Sequence, residues 1–315
     1  MKWRIIDWLI VAIVLISAAN SSAQSSQTGS LPPIKTVFVI LEENQNWSAI
    51  TPSLAPYIRN TLVPMGAHAE EYYNPPGMHP SETNYLWLEA GSNLGVTNNA
   101  DPSMNHQGTR DHLATYLTKA GISWKAYAED IDGKSCPLTS VNKYVPKHNP
   151  FVFFDDLTDA NNPGSADCIS HIRPYSELAG DLRNNTVARY NFIVPNLCHD
   201  MHDCPITTGD AWLSHEVPQI LASQAYKGGG ALFITWDEGN TGTATPDGPI
   251  GMIVLSPFAK RNFSNAIHYT HSSTLKALQE IFGVTPLLRD AANATDLSDF
   301  FVRGAPAPPS AATAK

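Results

Sequence analysis

Two pairs of neighbouring polar residues and one serine are the parts of this chain best suited to chemistry. Asp237-Glu238 stands straight after the apolar run Ala231–Trp236, and Glu42-Glu43-Asn44 straight after Thr36–Leu41. Adjacent carboxylates at the end of a buried strand repel one another unless a cation or a positive helix end lies between them. Either pair taken alone is equally well read as a turn or a cap. Glu43, Asp237 and Glu238 together offer three hard oxygen ligands, with the Asn44 amide as a fourth. The serine is Ser81, in His79-Pro80-Ser81-Glu82-Thr83-Asn84-Tyr85-Leu86. Pro80 ends a loop there, and Ser81 opens a helical pattern that runs through Tyr85 and Leu88. A serine at a helix start is an ordinary N-cap, and it is also where an anion is best received, because free N–H groups and the helix dipole point at it. Asn84 lies one turn further on and can donate to the same anion.

These residues need elements to hold them. Thr36–Leu41, Tyr190–Val194, Ala231–Trp236 and Ile250–Leu255 are short apolar runs bounded by polar, Gly or Pro residues. They read as buried strands of a mostly parallel sheet. Thr109–Ala120 (stopped by Gly121), Ala211–Gln224 and Ser272–Phe282 (stopped by Gly283) read as helices. Strands alternating with helices and no linker imply one α/β domain over residues 34–303. Three strands run into polar clusters, at Glu42–Asn44, at Asn196–Asp203 and at Asp237-Glu238, and open α/β sheets bind ligands beyond their strands' carboxyl ends. Residues 130–180, rich in Pro, Asn and Asp, are expected to pass over that edge as a long excursion. Lys147 is either a phosphate ligand or a surface lysine, Asp200 is ambiguous, and Asp203 either orients His202 or caps a turn. Asp210 is expected to N-cap the Ala211 helix. His271, at the start of the last helix, faces the site or does not with equal weight.

The 315 residues are 43% hydrophobic with a net charge of −9. That is enough apolar material for a large core, and the acidic balance argues against nucleic acid as a partner. Lys2 and Arg4 precede the uncharged stretch Trp8–Ala19, which ends at Ser21-Ser22-Ala23. Residues 1–23 therefore read as a cleaved secretory signal, with an uncleaved anchor as the alternative. Cleavage near Ala23 leaves a secreted or periplasmic chain with no stable membrane anchor, a flexible leader over 24–33 and an Ala/Pro tail over 304–315. Four cysteines suit an oxidising compartment. Cys198 and Cys204 are close in sequence and are expected to pair, leaving Cys136 with Cys168; a thiolate–imidazole zinc site is the rival reading.

The His79–Leu86 motif, with Glu43-Asn44 and Thr235-Trp236-Asp237-Glu238, resembles the bacterial phosphoesterase family of secreted acid phosphatases and phospholipases C, within the alkaline phosphatase superfamily. Lys147-His148-Asn149-Pro150, Asp200-Met201-His202-Asp203, Gly209-Asp210-Ala211-Trp212-Leu213 and Tyr269-Thr270-His271-Ser272 extend the resemblance in order. It spans about Lys35 to Phe282 and is strongest toward compact secreted acid phosphatases of the mycobacterial type. The resemblance implies a three-layer sandwich around a mostly parallel sheet. It implies that Ser81 is the nucleophile of a phosphoserine intermediate, that Glu43, Asn44, Asp237 and Glu238 hold a metal that also contacts Ser81, and that Asn84, His148 and His202 bind the phosphoryl oxygens. Where the superfamily's zinc enzymes use an Asp-His pair, this chain has Asp237-Glu238. One divalent ion is therefore expected, with Ca²⁺, Mg²⁺ or Mn²⁺ suiting the harder site better than Zn²⁺. Protonated His148 and His202 would then replace a second metal's charge and give an acidic optimum. The expected substrates are small phosphate monoesters, phosphoinositides among the candidates. A phospholipase C-type diesterase is the runner-up, and an inactive binding protein on the same fold the third reading.

Overall fold

The structure, a computed structural model, describes residues 31–240 and 247–304. The signal segment, most of the leader and nearly all of the Ala/Pro tail lie outside the described residues. Ten strands are present among the described residues: β1 (Thr36–Glu42), β2 (Ala67–Ala69), β3 (Tyr72–Tyr73), β4 (Trp124–Ala128), β5 (Ile172–Pro174), β6 (Tyr190–Val194), β7 (Gly230–Trp236), β8 (Met252–Leu255), β9 (Phe263–Asn265) and β10 (Tyr269–Thr270). Eight form one sheet in the order β5-β4-β6-β1-β7-β8-β2-β9, and β3 pairs with β10 beside it. All the ladders of the large sheet are parallel except those of β8, which runs antiparallel to both β7 and β2. The mostly parallel sheet is as expected. The Ile250–Leu255 run is a strand, but it starts at Met252 and points the other way, because an apolar run carries no direction.

Central residues such as Phe38, Val39 and Ile40 are fully buried in succession, so both faces of β1 are covered. Only a continuous apolar run satisfies that, since alternate side chains point to opposite faces. The Ser81–Ala90, Leu113–Lys119 and His271–Phe282 helices pack on one another, and the Leu178–Asn184 helix packs on Ile206–Ala222. Two expected helices shift. Thr109–Ala120 begins only at Leu113, and Ala211–Gln224 begins five residues earlier, at Ile206. Asp210 therefore does not cap the helix expected at Ala211. It lies inside the helix, and its carboxylate accepts the backbone N–H groups of Tyr57 and Ile58 at 3.0 and 2.8 Å. The 130–180 excursion contains several short helices and also β5, an edge strand of the main sheet. Both disulfides form as expected, Cys136 with Cys168 and Cys198 with Cys204.

Candidate active site

The site begins with strand register. β1 and β7 pair in parallel so that Glu42 stands opposite Trp236. The next residue of each strand, Glu43 and Asp237, therefore emerges side by side on the other face of the sheet. The Asp237 N–H donates to the Glu42 carbonyl at 2.9 Å, and the Asn44 and Glu238 N–H groups both donate to Asp237 Oδ1, at 3.0 and 2.6 Å. Asn44 has φ +49°, a left-handed turn that Asn tolerates well. His271 donates through Nε2 to the Asp237 carbonyl at 2.6 Å, with Nδ1 against the Tyr72 hydroxyl at 3.2 Å. It supports the end of β7 from behind.

Ser81 is the first helical residue, with Pro80 as the cap, so its hydroxyl is not used for capping. It donates instead to Glu43 Oε2 at 3.1 Å, and both groups are buried. Asn84, one turn on, donates to Glu238 Oε2 at 2.8 Å and to the Met78 carbonyl at 3.0 Å. His79 was given no role from sequence, yet it bridges Glu238 Oε2 at 3.1 Å and Asp247 Oδ2 at 2.8 Å. Asp247 reaches in because Gly239 leaves room for it: a side chain at Gly239 would run into Asp247, whose carboxylate accepts the Gly239 N–H at 3.0 Å.

The third part comes from the excursion and from the loop after β6. His148 is buried with its ring stacked on Tyr85, 5.2 Å between centroids. Its Nδ1 is 3.1 Å from Asp200 Oδ2; its Nε2 is 3.1 Å from Glu43 Oε1 but lacks hydrogen-bond alignment. Lys147 Nζ meets His202 Nε2 at 3.0 Å, and Asp203 holds the opposite ring nitrogen of His202 at 2.7 Å. The Cys198–Cys204 bridge closes the loop that carries Asp200 and His202. Gly209 lets that loop rest on the Ile206–Ala222 helix, since a Cβ there would come within 2.8 Å of the His199 carbonyl. The structure thus gathers Glu43, Asn44, Ser81, Asn84, Lys147, His148, His202, Asp203, Asp237 and Glu238, and adds Asp200, His79 and Asp247. Nothing in the spacing of His79 and Asp247 along the chain links them; only the fold does.

Burial pushes the Glu43, Asp200, Asp237 and Glu238 carboxyls above their ordinary range, Asp237 to about 6 and Glu238 to about 9, while Lys147 pulls all four back. Burial, with the Lys147 and His202 charges beside it, holds His148 well below its ordinary value. Burial thus works against the cationic form of His148 that an acidic optimum calls for. Glu43 Oε1 and Asp237 Oδ2 are buried without a hydrogen-bond partner. Unpaired buried carboxylate oxygens facing one another are what a hard divalent cation satisfies, so the residues present fit such an ion. Among the described residues, one set of three His, Asp or Glu side chains also brings its ligand atoms within 4.8 Å of one another: Glu43, His148 and His202.

This sheet, with its site at the ends of the central strands, is the fold of the alkaline phosphatase superfamily. A superfamily protein from Vibrio parahaemolyticus superposes with a TM-score of 0.54 over 84% of this chain and 72% of its own, at 11% identity. Residues 55–285 match the Phosphoesterase family, and the chain belongs to that family. It is 30% identical to a phosphatidylinositol-3-phosphatase of Mycobacterium tuberculosis over 93% of this chain and 92% of that one. It is 29% identical to a phosphate-repressible acid phosphatase of Penicillium chrysogenum over 67% of this chain, which spans about half (51%) of that longer protein.

Proposed function

We propose that the protein is an exported phosphatase that hydrolyses phosphate monoesters through a phosphoserine at Ser81. The observation that carries this is the Ser81 hydroxyl, held by a buried carboxylate at the open end of a helix. Asn84, His148, His202 and Lys147 are grouped around it. Helix N–H groups and these side chains receive the phosphoryl oxygens. Ser81 Oγ attacks phosphorus as its proton passes to Glu43, which already accepts its hydrogen bond and later returns the proton to the serine; the ester oxygen leaves and takes a proton from solvent water to become the alcohol. Water then displaces Ser81 Oγ from phosphorus and phosphate departs. Glu43, Asn44, Asp237 and Glu238, with Ser81, would hold one divalent ion, which lowers the pKa of the serine hydroxyl and offsets charge on the phosphoryl group. His148 is kept by Asp200 and Tyr85 as a neutral donor, and Asp203 and Lys147 fix His202 at the rim. His79 and Asp247 hold Glu238 in place.

A monoester presents three non-bridging oxygens to these donors, whereas a diester masks one and leaves a buried donor unmade, at a cost of about 1–3 kcal/mol. The test compares kcat/KM for para-nitrophenyl phosphate and its phosphocholine diester, with and without chelator. At least tenfold preference for the monoester and loss of turnover with chelator are expected. Equal or faster diester hydrolysis would move the assignment to the phospholipase C kind, and two tightly bound zinc ions per chain would refute the single-ion site.

A further inference from the structure

The 130–163 stretch of the excursion surrounds a cavity of about 900 Å³ that the site described above does not use. That is ample for a small organic group. Its place is fixed by the sheet. β4 runs parallel to β1 with only β6 between them, so the end of β4 lies two strand spacings, roughly 10 Å, from the end of β1 that carries Glu43. Asp130, two residues past β4, lines the cavity, and its carboxylate accepts from the Asn196 amide at 3.1 Å, on the loop that leads to Asp200 and His202. Val141 lines it too, on the chain that reaches Lys147 and His148 six and seven residues later. Ser103 lines it as well, in the Pro102–Asn105 helix, whose Asn105 donates at 2.9 Å to Glu82, the neighbour of Ser81. The cavity and the serine thus share three bordering segments.

The lining has a definite chemistry. Ile131, Leu138 and Val141 supply apolar surface, Asp130 and Asp132 supply negative charge, and no Lys, Arg or His belongs to it. Lys134 and Lys143 occur in the same stretch, are exposed, and are not among the lining residues. We infer that this cavity receives the alcohol side of the ester at the Ser81 site and selects uncharged or cationic alcohols against anionic ones. The inference rests on the monoesterase reading above and gives it a substrate class. An alcohol bearing a carboxylate or further phosphates meets two carboxylates with no counter-charge, so multiply phosphorylated inositols are poor substrates. At an effective dielectric suited to an open cavity, and with salt screening, two such charges separate a cation from an anion by roughly tenfold or more.

The experiment measures kcat/KM of the full chain for three phosphate monoesters: phosphocholine, glycerol 2-phosphate and 3-phosphoglycerate. The first two are expected to exceed the third at least tenfold. Asp130→Asn with Asp132→Asn should shrink the ratio to about two, and Val141→Arg, at an exposed rim position, should move it further toward the anion. Equal values across the three substrates, or a ratio unmoved by both variants, overturn the inference while leaving the monoesterase reading intact. If none of the three is hydrolysed, that reading fails instead. The cavity is then decided by calorimetry with the free alcohols: choline binding that weakens in the double variant supports it, and choline and glycerate binding alike refutes it.

Discussion

His148 and His112 are both buried between two carboxylates, and the fold treats them in opposite ways. His112 lies 2.9 Å from Glu89 and 3.0 Å from Asp156, with its ring stacked on Phe154 at 3.8 Å. Glu89 also accepts the Ala114 N–H at 2.6 Å, and Thr115 donates to Asp156. No fully buried side-chain polar atom of this group is left without a partner. Around His148, by contrast, Glu43 Oε1, Asp237 Oδ2, Asn84 Oδ1 and His148 Nε2 itself are all unpaired. Burial drags both imidazoles down, but at His112 the hydrogen bonds it donates to Asp156 and Glu89 win and the net shift is upward. The complete cluster ties the far end of the Ser81–Ala90 helix to the excursion. The incomplete one leaves valences open. Unsatisfied polar atoms, more than the presence of histidine and acid, separate a site from a brace.

The largest effect that would break this contrast is at Ser81. Ser81→Ala should lower kcat for a chromogenic monoester by more than a hundredfold. It removes one hydroxyl and a hydrogen bond worth about 1 kcal/mol, so the melting temperature should stay within a few degrees. Retention of a tenth of the activity would end the phosphoserine mechanism. Next come two substitutions that each delete one ionisable group and should act with opposite sign. His112→Ala strands Glu89 and Asp156 and should cost about 3–5 kcal/mol in a urea titration. Glu43→Gln, in chelator-treated protein, relieves the repulsion with Asp237 and should raise stability by about 1–2 kcal/mol while abolishing turnover. If Glu43→Gln is destabilising too, the two clusters are not of different kinds.

The smallest expected effect is on pH dependence. Folded His112 lies above its ordinary 6.5, because its hydrogen bonds outweigh burial, and burial raises Glu89 above 4.5. A group raised on folding contributes stability that is complete below its unfolded value and is lost as pH rises through its folded value. Asp156 is shifted down by His112 and Thr115 against burial, so its share is lost only as pH falls below about 3.8. The melting-temperature difference between wild type and His112→Gln should therefore be greatest near pH 5–6 and shrink from about pH 6.5 upward. A difference that grows toward pH 8 would mean that His112 is neutral in the fold.

The central strands were legible because β1, β6 and β7 are buried on both faces, which leaves an unbroken apolar run in the sequence. β2, β5 and β9 have three residues each and leave no such trace, and the direction of β8 is set by its neighbours. Glu43, Ser81, Asn84 and Asp237-Glu238 could be named because each stands at an element's end, where polarity changes abruptly. His79 and the His112 cluster could not, since their partners lie 159 and 168, or 23 and 44, residues away with no periodic pattern to join them. Asp210 misled for the same reason. Its cap-like spacing suits a helix start, while its carboxylate is taken by backbone groups some 150 residues distant.

The parallel pairing of β1 with β7 has a consequence for the order in which the molecule is made. Ser81 and Glu43 are 38 residues apart, Asn84 and Glu238 are 154 apart, and Asn44 and Asp237 are 193 apart. A chain still short of Asp237 has its serine but not the carboxylate that must stand beside Glu43. Loops of that length close late in folding, after local helices and hairpins have formed. On the proposed mechanism, turnover marks the docking of β7, and in a refolding chain it should return with the last native contacts and not the first.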